Sequence, residues 1–154
     1  MWSSRKGIDM QELKYSKILV PTDGSEYSYN AGEHAAYLAK NLGSRIYILN
    51  VINDDSAFRT GIHYSEGMHE LEQHGYEATK KIKKICVENG VECEELIIKG
   101  KPGETIVNTA VKLGIDCIVM GSIGMSAIER VLIGSVSDKV LRHAGCPVLI
   151  IRKG

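Results

Sequence analysis

The sequence predicts an α/β protein built on a five-stranded, parallel, doubly wound sheet with helices on both faces. Three observations carry this. Short apolar runs alternate with longer stretches of helical period along the whole chain. Most of the runs are apolar on both sides, as strands covered by helices on two faces must be. Glycine, proline or a small polar residue stands wherever an element has to start or stop. At 154 residues the chain is one domain by length and can bury a real core.

Residues 1–16 are polar, with mixed charge and one Trp2. They read as an N-terminal extension, poorly ordered as termini often are, with a short amphipathic helix around Asp9 to Leu13 as the alternative. The domain runs over 17–154. Ile18-Leu19-Val20, closed by Pro21, is a buried first strand, and Thr22-Asp23-Gly24-Ser25 supplies a turn and a helix cap. From Glu26 to Leu42 the positions Ala31, Ala35, Leu38, Ala39 and Leu42 recur at helical spacing, and Gly43 stops the helix.

Arg45 to Val51 is a second buried strand. The stretch from Ile52 to Glu66 then loses periodicity, carries Asp54-Asp55 and Gly61, and is long for a plain connection. A second helix shows the stripe Met68, Leu71, Gly75, Ala78, Ile82 and Ile85, with Asn89-Gly90 as its stop. Such a stripe is core. Val91 to Ile98 begins by alternating Val91 and Cys93 with Glu92 and Glu94, which predicts a strand with one wet face near a sheet edge. Pro102 suits the first turn of a third helix with Ile106, Ala110 and Leu113 inward, closed by Gly114. Cys117 to Met120 is the fourth strand, followed by a glycine loop with a short helical turn. A last helix from Ser135 to about His143 leads to a fifth strand, Pro147 to Ile151.

Composition narrows the function classes. Lys plus Arg and Asp plus Glu each count 19, so no global field draws the chain to nucleic acid or to a membrane surface. No run approaches signal-peptide or membrane-span length, and Cys86, Cys93, Cys117 and Cys146 lie far apart without metal-site spacing. The expectation is a reduced, cytoplasmic protein. His63, His69 and His74 read as surface residues, because His69 and His74 are five apart and do not share a helix face. Asp54-Asp55 reads as exposed loop charge. Gly100-Lys101 lacks the earlier glycine of a Walker loop. No catalytic or metal-ligating residue is predicted.

The informative stretch runs from Gly121 to Asp138. Gly121 and Gly124 lack a Cβ, so the chain there is free to turn through positive φ or to approach a ligand closely. Gly134-Ser135 opens the last helix, with Ser135 and Asp138 spaced as a capping pair. Unpaired amides and the positive end of a helix dipole favour an anion there, phosphate above all.

The spacing Gly121, two residues, Gly124, nine residues, Gly134, Ser135 resembles the G-2x-G-9x-G-(S/T) signature of ATP-binding universal stress proteins. Lys17 to Ser25 and Cys146 to Ile151 are also similar to that family, so the resemblance covers residues 16–152. It implies the strand order 3-2-1-4-5 of the adenine nucleotide alpha hydrolase-like fold. In that order strands one and four meet where the winding reverses, and ligands in such sheets bind at the carboxyl ends there.

The resemblance also implies a site. Asp23 would accept from a ribose, with Pro21 and Thr22 completing the wall, and the backbone of Val51 would meet the adenine. Met120 and Gly121, with Ser122 beside them, would flank base and ribose. Gly124, Gly134, Ser135 and Val136 would cradle the phosphates through amides and the Ser135 hydroxyl. The chain departs from many ATP-binding members in carrying Ile123 and Met125 where they have polar or basic residues, and Arg130 stands where the family often has arginine.

The implied function is a stress-response regulatory module that binds ATP, or AMP or ADP, with or without magnesium. The alternative is a slow ATP hydrolase or an adenylate-handling enzyme of the adenine nucleotide alpha hydrolase class, whose serine- and glycine-rich loop after strand one is not matched by Pro21 to Ser25. A phosphoacceptor signalling domain would need a carboxylate after strand three, where Lys99 stands. Finally, Val148 to Ile151 is an apolar edge strand in this order, and a second copy across a two-fold axis would cover it. A homodimer through that strand is expected.

Overall fold

A computed structural model describes residues 7, 9–53, 55, 64–124 and 133–152. Within them five strands and four helices follow one another in the order β1 (Lys17–Pro21), α1 (Glu26–Leu42), β2 (Arg45–Ile52), α2 (Tyr64–Glu88), β3 (Cys93–Lys99), α3 (Pro102–Leu113), β4 (Cys117–Gly121), α4 (Ser135–His143) and β5 (Val148–Ile151). The strands form one parallel sheet in the order β3-β2-β1-β4-β5. The sheet, its order and the alternation of elements are those expected from the sequence and the resemblance. Asp54, Gly61, His63, Met125, Arg130 and the short helical turn expected before Gly134 lie outside the described residues.

Alternate residues of each central strand feed two cores. Ile18, Val20, Ile46, Ile48, Cys117 and Val119 pack with the small face of α1 and with Ile82, Ile85 and Cys86 of α2. Leu19, Tyr47, Leu49, Ile118 and Met120 pack with Ile106 and Ala110 of α3 and Val140 of α4. Because the period of a strand is two, one chain serves both layers. On α1 the buried face is Ala31, Gly32, Ala35, Ala36 and Ala39, which lets α2 come close. A Cβ on Gly32 would stand 3.0 Å from Ile82 Cγ1.

Helix ends follow local chemistry. Ser25 caps α1 by accepting the Ser28 N–H at 3.2 Å, and Gly43, at φ 69°, ends it in the left-handed region. Leu42, expected inward, is instead 55% exposed, since it sits in the last turn beside the reversal into β2. The end of α3 repeats the glycine stop, with Gly114 at φ 64°. Residues Asp9 to Glu12 form a hydrogen-bonded turn rather than a helix. At the amino ends of the strands, Asp116 Oδ2 accepts the N–H groups of Ser16 and Lys17, each at 2.9 Å, which pins the entry into β1.

All four cysteines are free. Burial, and secondarily the neighbouring Cys93, pushes the Cys86 thiol up to about 12, so it serves as a small apolar side chain. No helix among the described residues is long and apolar enough to cross a membrane.

Candidate functional site

The sheet order puts β1 beside β4, with Ile18 level with Cys117 and Leu19 with Ile118. In this register the two strands end within one residue of each other, so the chain leaves each of them into a βα corner at the point where the winding reverses. Pro21 and Thr22 are buried at the first corner, and Met120, Gly121 and Ser122 are buried at the second. Asp23, Gly124, Gly134 and Val136 are half-buried and Ser135 is exposed. Val51 lies two residues beyond Leu49, the partner of Pro21, on the part of β2 that continues past β1 and pairs with β3.

The first corner is closed by its own hydrogen bonds. Thr22 N–H donates to the Leu49 carbonyl at 2.8 Å, and Asp23 Oδ1 accepts the Ser25 N–H at 3.0 Å. Thr22 Oγ1 accepts the Gly24 N–H at 3.2 Å and lies 2.9 Å from Ser28 Oγ. Gly24, at φ 85°, takes the left-handed conformation that the turn requires. Two side chains from outside complete it: Asn50 Nδ2 donates to the Thr22 carbonyl at 2.9 Å, and His74 Nε2 lies 2.7 Å from the Asp23 carbonyl. The sequence reading took His74 as a surface residue, which its exposure bears out, and passed over Asn50; neither was expected at this corner, since a contact to a main-chain carbonyl leaves no pattern in the chain.

The second corner is arranged differently. Neither Gly121 nor Gly124 adopts positive φ; what each needs is closeness. A Cβ on Gly121 would stand 2.9 Å from the Tyr27 backbone, and one on Gly124 would stand 2.6 Å from Asp23 Oδ2. The glycine loop thus reaches across to the Asp23 carboxylate, and the two corners meet there.

At the start of α4 the N-cap is Gly134, with φ −75° and ψ 167°, and no side chain caps the helix. This corrects the reading of Ser135 and Asp138 as a capping pair. Ser135 is already the first helical residue, and Asp138 Oδ2 accepts from Arg142 Nε at 2.9 Å, one turn further on. The Gly134 N–H is also not available to a ligand, because it donates to the Ser122 carbonyl at 2.7 Å. The first bond inside the helix joins Asp138 N–H to the Gly134 carbonyl at 2.9 Å, so the amides of Ser135, Val136 and Ser137 must find partners outside it. Ser137, which sequence reasoning also missed, is buried and donates from Oγ to the Gly121 carbonyl at 2.8 Å, tying α4 to the end of β4. Such an end favours an anion by both dipole and amides.

Among the described residues no group of three or more His, Cys, Asp or Glu side chains gathers where it could hold a metal ion.

Comparison with known proteins agrees with this fold. A family model described as the universal stress protein family matches residues 14–152. Universal stress protein MJ0531 of Methanocaldococcus jannaschii is 41% identical over 147 residues, covering 92% of this chain and 85% of its own. The solved structure of MJ0577 from the same organism superposes with a TM-score of 0.82 at 30% identity, over 92% of this chain and 99% of that one. A universal stress protein solved in complex with cAMP superposes with a TM-score of 0.66 at 26% identity, over 91% of this chain and 98% of that one.

Proposed function

The chain belongs to the universal stress protein family, and from that premise we propose that it binds an adenine nucleotide where the corners after β1 and β4 meet. The observation that carries this is the start of α4, which no side chain caps, beside a loop whose glycine approaches Asp23. The cAMP complex of a relative adds an adenine nucleotide to the same fold.

The residues fit such a ligand in two parts. Amides of Ser135 and Val136, with the Ser135 hydroxyl, would receive phosphate oxygens. Gly124 and Gly134 keep that approach free of side chains, since a Cβ on Gly134 would stand only 3.3 Å from Ile123 Cα. Asp23 would receive the ribose hydroxyls, flanked by Pro21, Thr22, Met120, Gly121 and Ser122, and the Val51 backbone would meet the base. ATP is the first candidate, with AMP or ADP behind it, and magnesium would add charge neutralisation at the phosphates.

This set of groups suits holding a nucleotide rather than cleaving it. Its phosphate donors are main-chain amides, and its carboxylate is already engaged by the Ser25 N–H. The protein then acts by presenting a different surface when the nucleotide changes. The four unpaired thiols suit a cytoplasmic setting. The apolar edge of β5, where Leu149 is 40% exposed, suits pairing with the same strand of a second copy. Light scattering should give the mass of a dimer at micromolar concentration, and a concentration-independent monomer would refute the pairing.

The decisive experiment is to purify the protein without added nucleotide, denature it, and identify what is released by mass spectrometry. An adenine nucleotide is expected. Release of none, together with no calorimetric binding of ATP or AMP at millimolar concentration with or without magnesium, would sink the reading.

A further inference from the structure

The corner after β1 is held from outside by α2. His74 Nε2 lies 2.7 Å from the Asp23 carbonyl, and a carbonyl only accepts, so Nε2 carries the proton and donates it. Two glycines make this contact fit. A Cβ on Gly24 would stand 3.0 Å from both Cε1 and Nε2 of the His74 ring. On Gly75, the next residue of α2, a Cβ would stand 2.5 Å from Asn50 Oδ1, the side chain that bonds the Thr22 carbonyl. One turn of α2 therefore bears on two consecutive carbonyls, directly through His74 and by way of Asn50.

The peptide plane that His74 fixes is the one leaving Asp23. Rotating it turns the backbone of the residue whose carboxylate accepts the Ser25 N–H through Oδ1 and faces Gly124 through Oδ2. We infer that His74 is a positioning residue for nucleoside recognition: it holds the Asp23 carboxylate where a ribose would meet it, without touching the ligand. This rests on the nucleotide reading and divides its site in two. Phosphate binding at the α4 amides is independent of His74; sugar recognition at Asp23 depends on it.

The test compares ATP with inorganic tripolyphosphate, by calorimetry, on the full chain. His74→Ala weakens ATP binding about tenfold, equivalent to ~1.4 kcal/mol and the loss of one hydrogen bond. Tripolyphosphate binding stays within about twofold of the parent, on the same scale. His74→Gln, which keeps a donor at similar reach, restores most of the ATP affinity. Asp23→Ala/His74→Ala binds ATP no more weakly than Asp23→Ala alone, because the second change acts only through the first.

Unchanged ATP binding by His74→Ala, an equal loss for tripolyphosphate, or additive losses in the double variant would each overturn the assignment. Hydrogen exchange on the ligand-free protein keeps it separable from the nucleotide reading. Faster exchange confined to residues 22–28 in His74→Ala supports the clamp even if the parent binds no nucleotide, and unchanged exchange there overturns it.

Discussion

The two corners at the switch point stand at the ends of neighbouring strands and are built in opposite ways. After β1 the chain is satisfied internally: Ser25 caps α1, Asp23 bonds Ser25, and Asn50 and His74 hold the carbonyls. After β4 the helix begins at a glycine with no side-chain cap, and the Ser135 and Val136 amides precede the first bond inside the helix. Capping normally stabilises a helix by about 1 kcal/mol. α3 also starts without a side-chain cap, so what sets α4 apart is its place at the corner after β4, where the proposed nucleotide would meet its amides.

Filling the uncapped corner breaks the contrast most directly. Gly134→Asp supplies a carboxylate that caps α4 and repels an incoming phosphate, so nucleotide affinity should fall by about 100-fold or more, while the new Cβ, 3.3 Å from Ile123 Cα, offsets the gain from the cap and leaves thermal stability unchanged or slightly lower. Calorimetry and a melting curve on the same sample read both. Gly124→Val attacks the contact between the corners, since its Cβ collides with Asp23 Oδ2. Nucleotide retention should drop below detection by mass spectrometry, with the circular dichroism spectrum unchanged.

Opening the closed corner gives the converse result. Ser25→Ala should cost about 1 kcal/mol in urea unfolding and change nucleotide affinity less than about twofold. A last effect lies in the core away from both corners, where the end of α2 packs against the start of β3. Burial raises the Cys86 thiol from 9.0 to about 12, so the folded state holds this proton more tightly than the unfolded chain does. Its contribution is complete below pH 9 and is lost as pH rises toward 12, which Cys86→Ala should remove from the alkaline limb of a stability profile.

Legibility in the sequence followed the same division. The bounds of α1 were readable because Ser25 and Gly43 are local signals, and β3 was readable as an edge because Glu92 and Glu94 alternate with Val91 and Cys93. Strand order was carried by resemblance, and the sheet has it. The bounds of α4 were read correctly as Ser135 to His143, but its cap was misread, because sequence reasoning credits a serine with capping and cannot see a glycine leaving the position empty. Gly121 and Gly124 were flagged for positive φ and for the close approach of a ligand; neither takes positive φ, and the groups that come close to them within the chain are Tyr27 and the Asp23 carboxylate. His74 and Asn50 were invisible as site residues, since the His74 contact joins positions 51 apart through a carbonyl that every residue possesses.

The carboxylate of Asp116, which grips the amides of Ser16 and Lys17, fixes the incoming chain at the pole of the sheet opposite the two corners. A fluorescent reporter or affinity handle fused ahead of Ser16 would therefore be tethered away from both corners, and the same arrangement would let a foreign module be grafted there clear of the proposed nucleotide site.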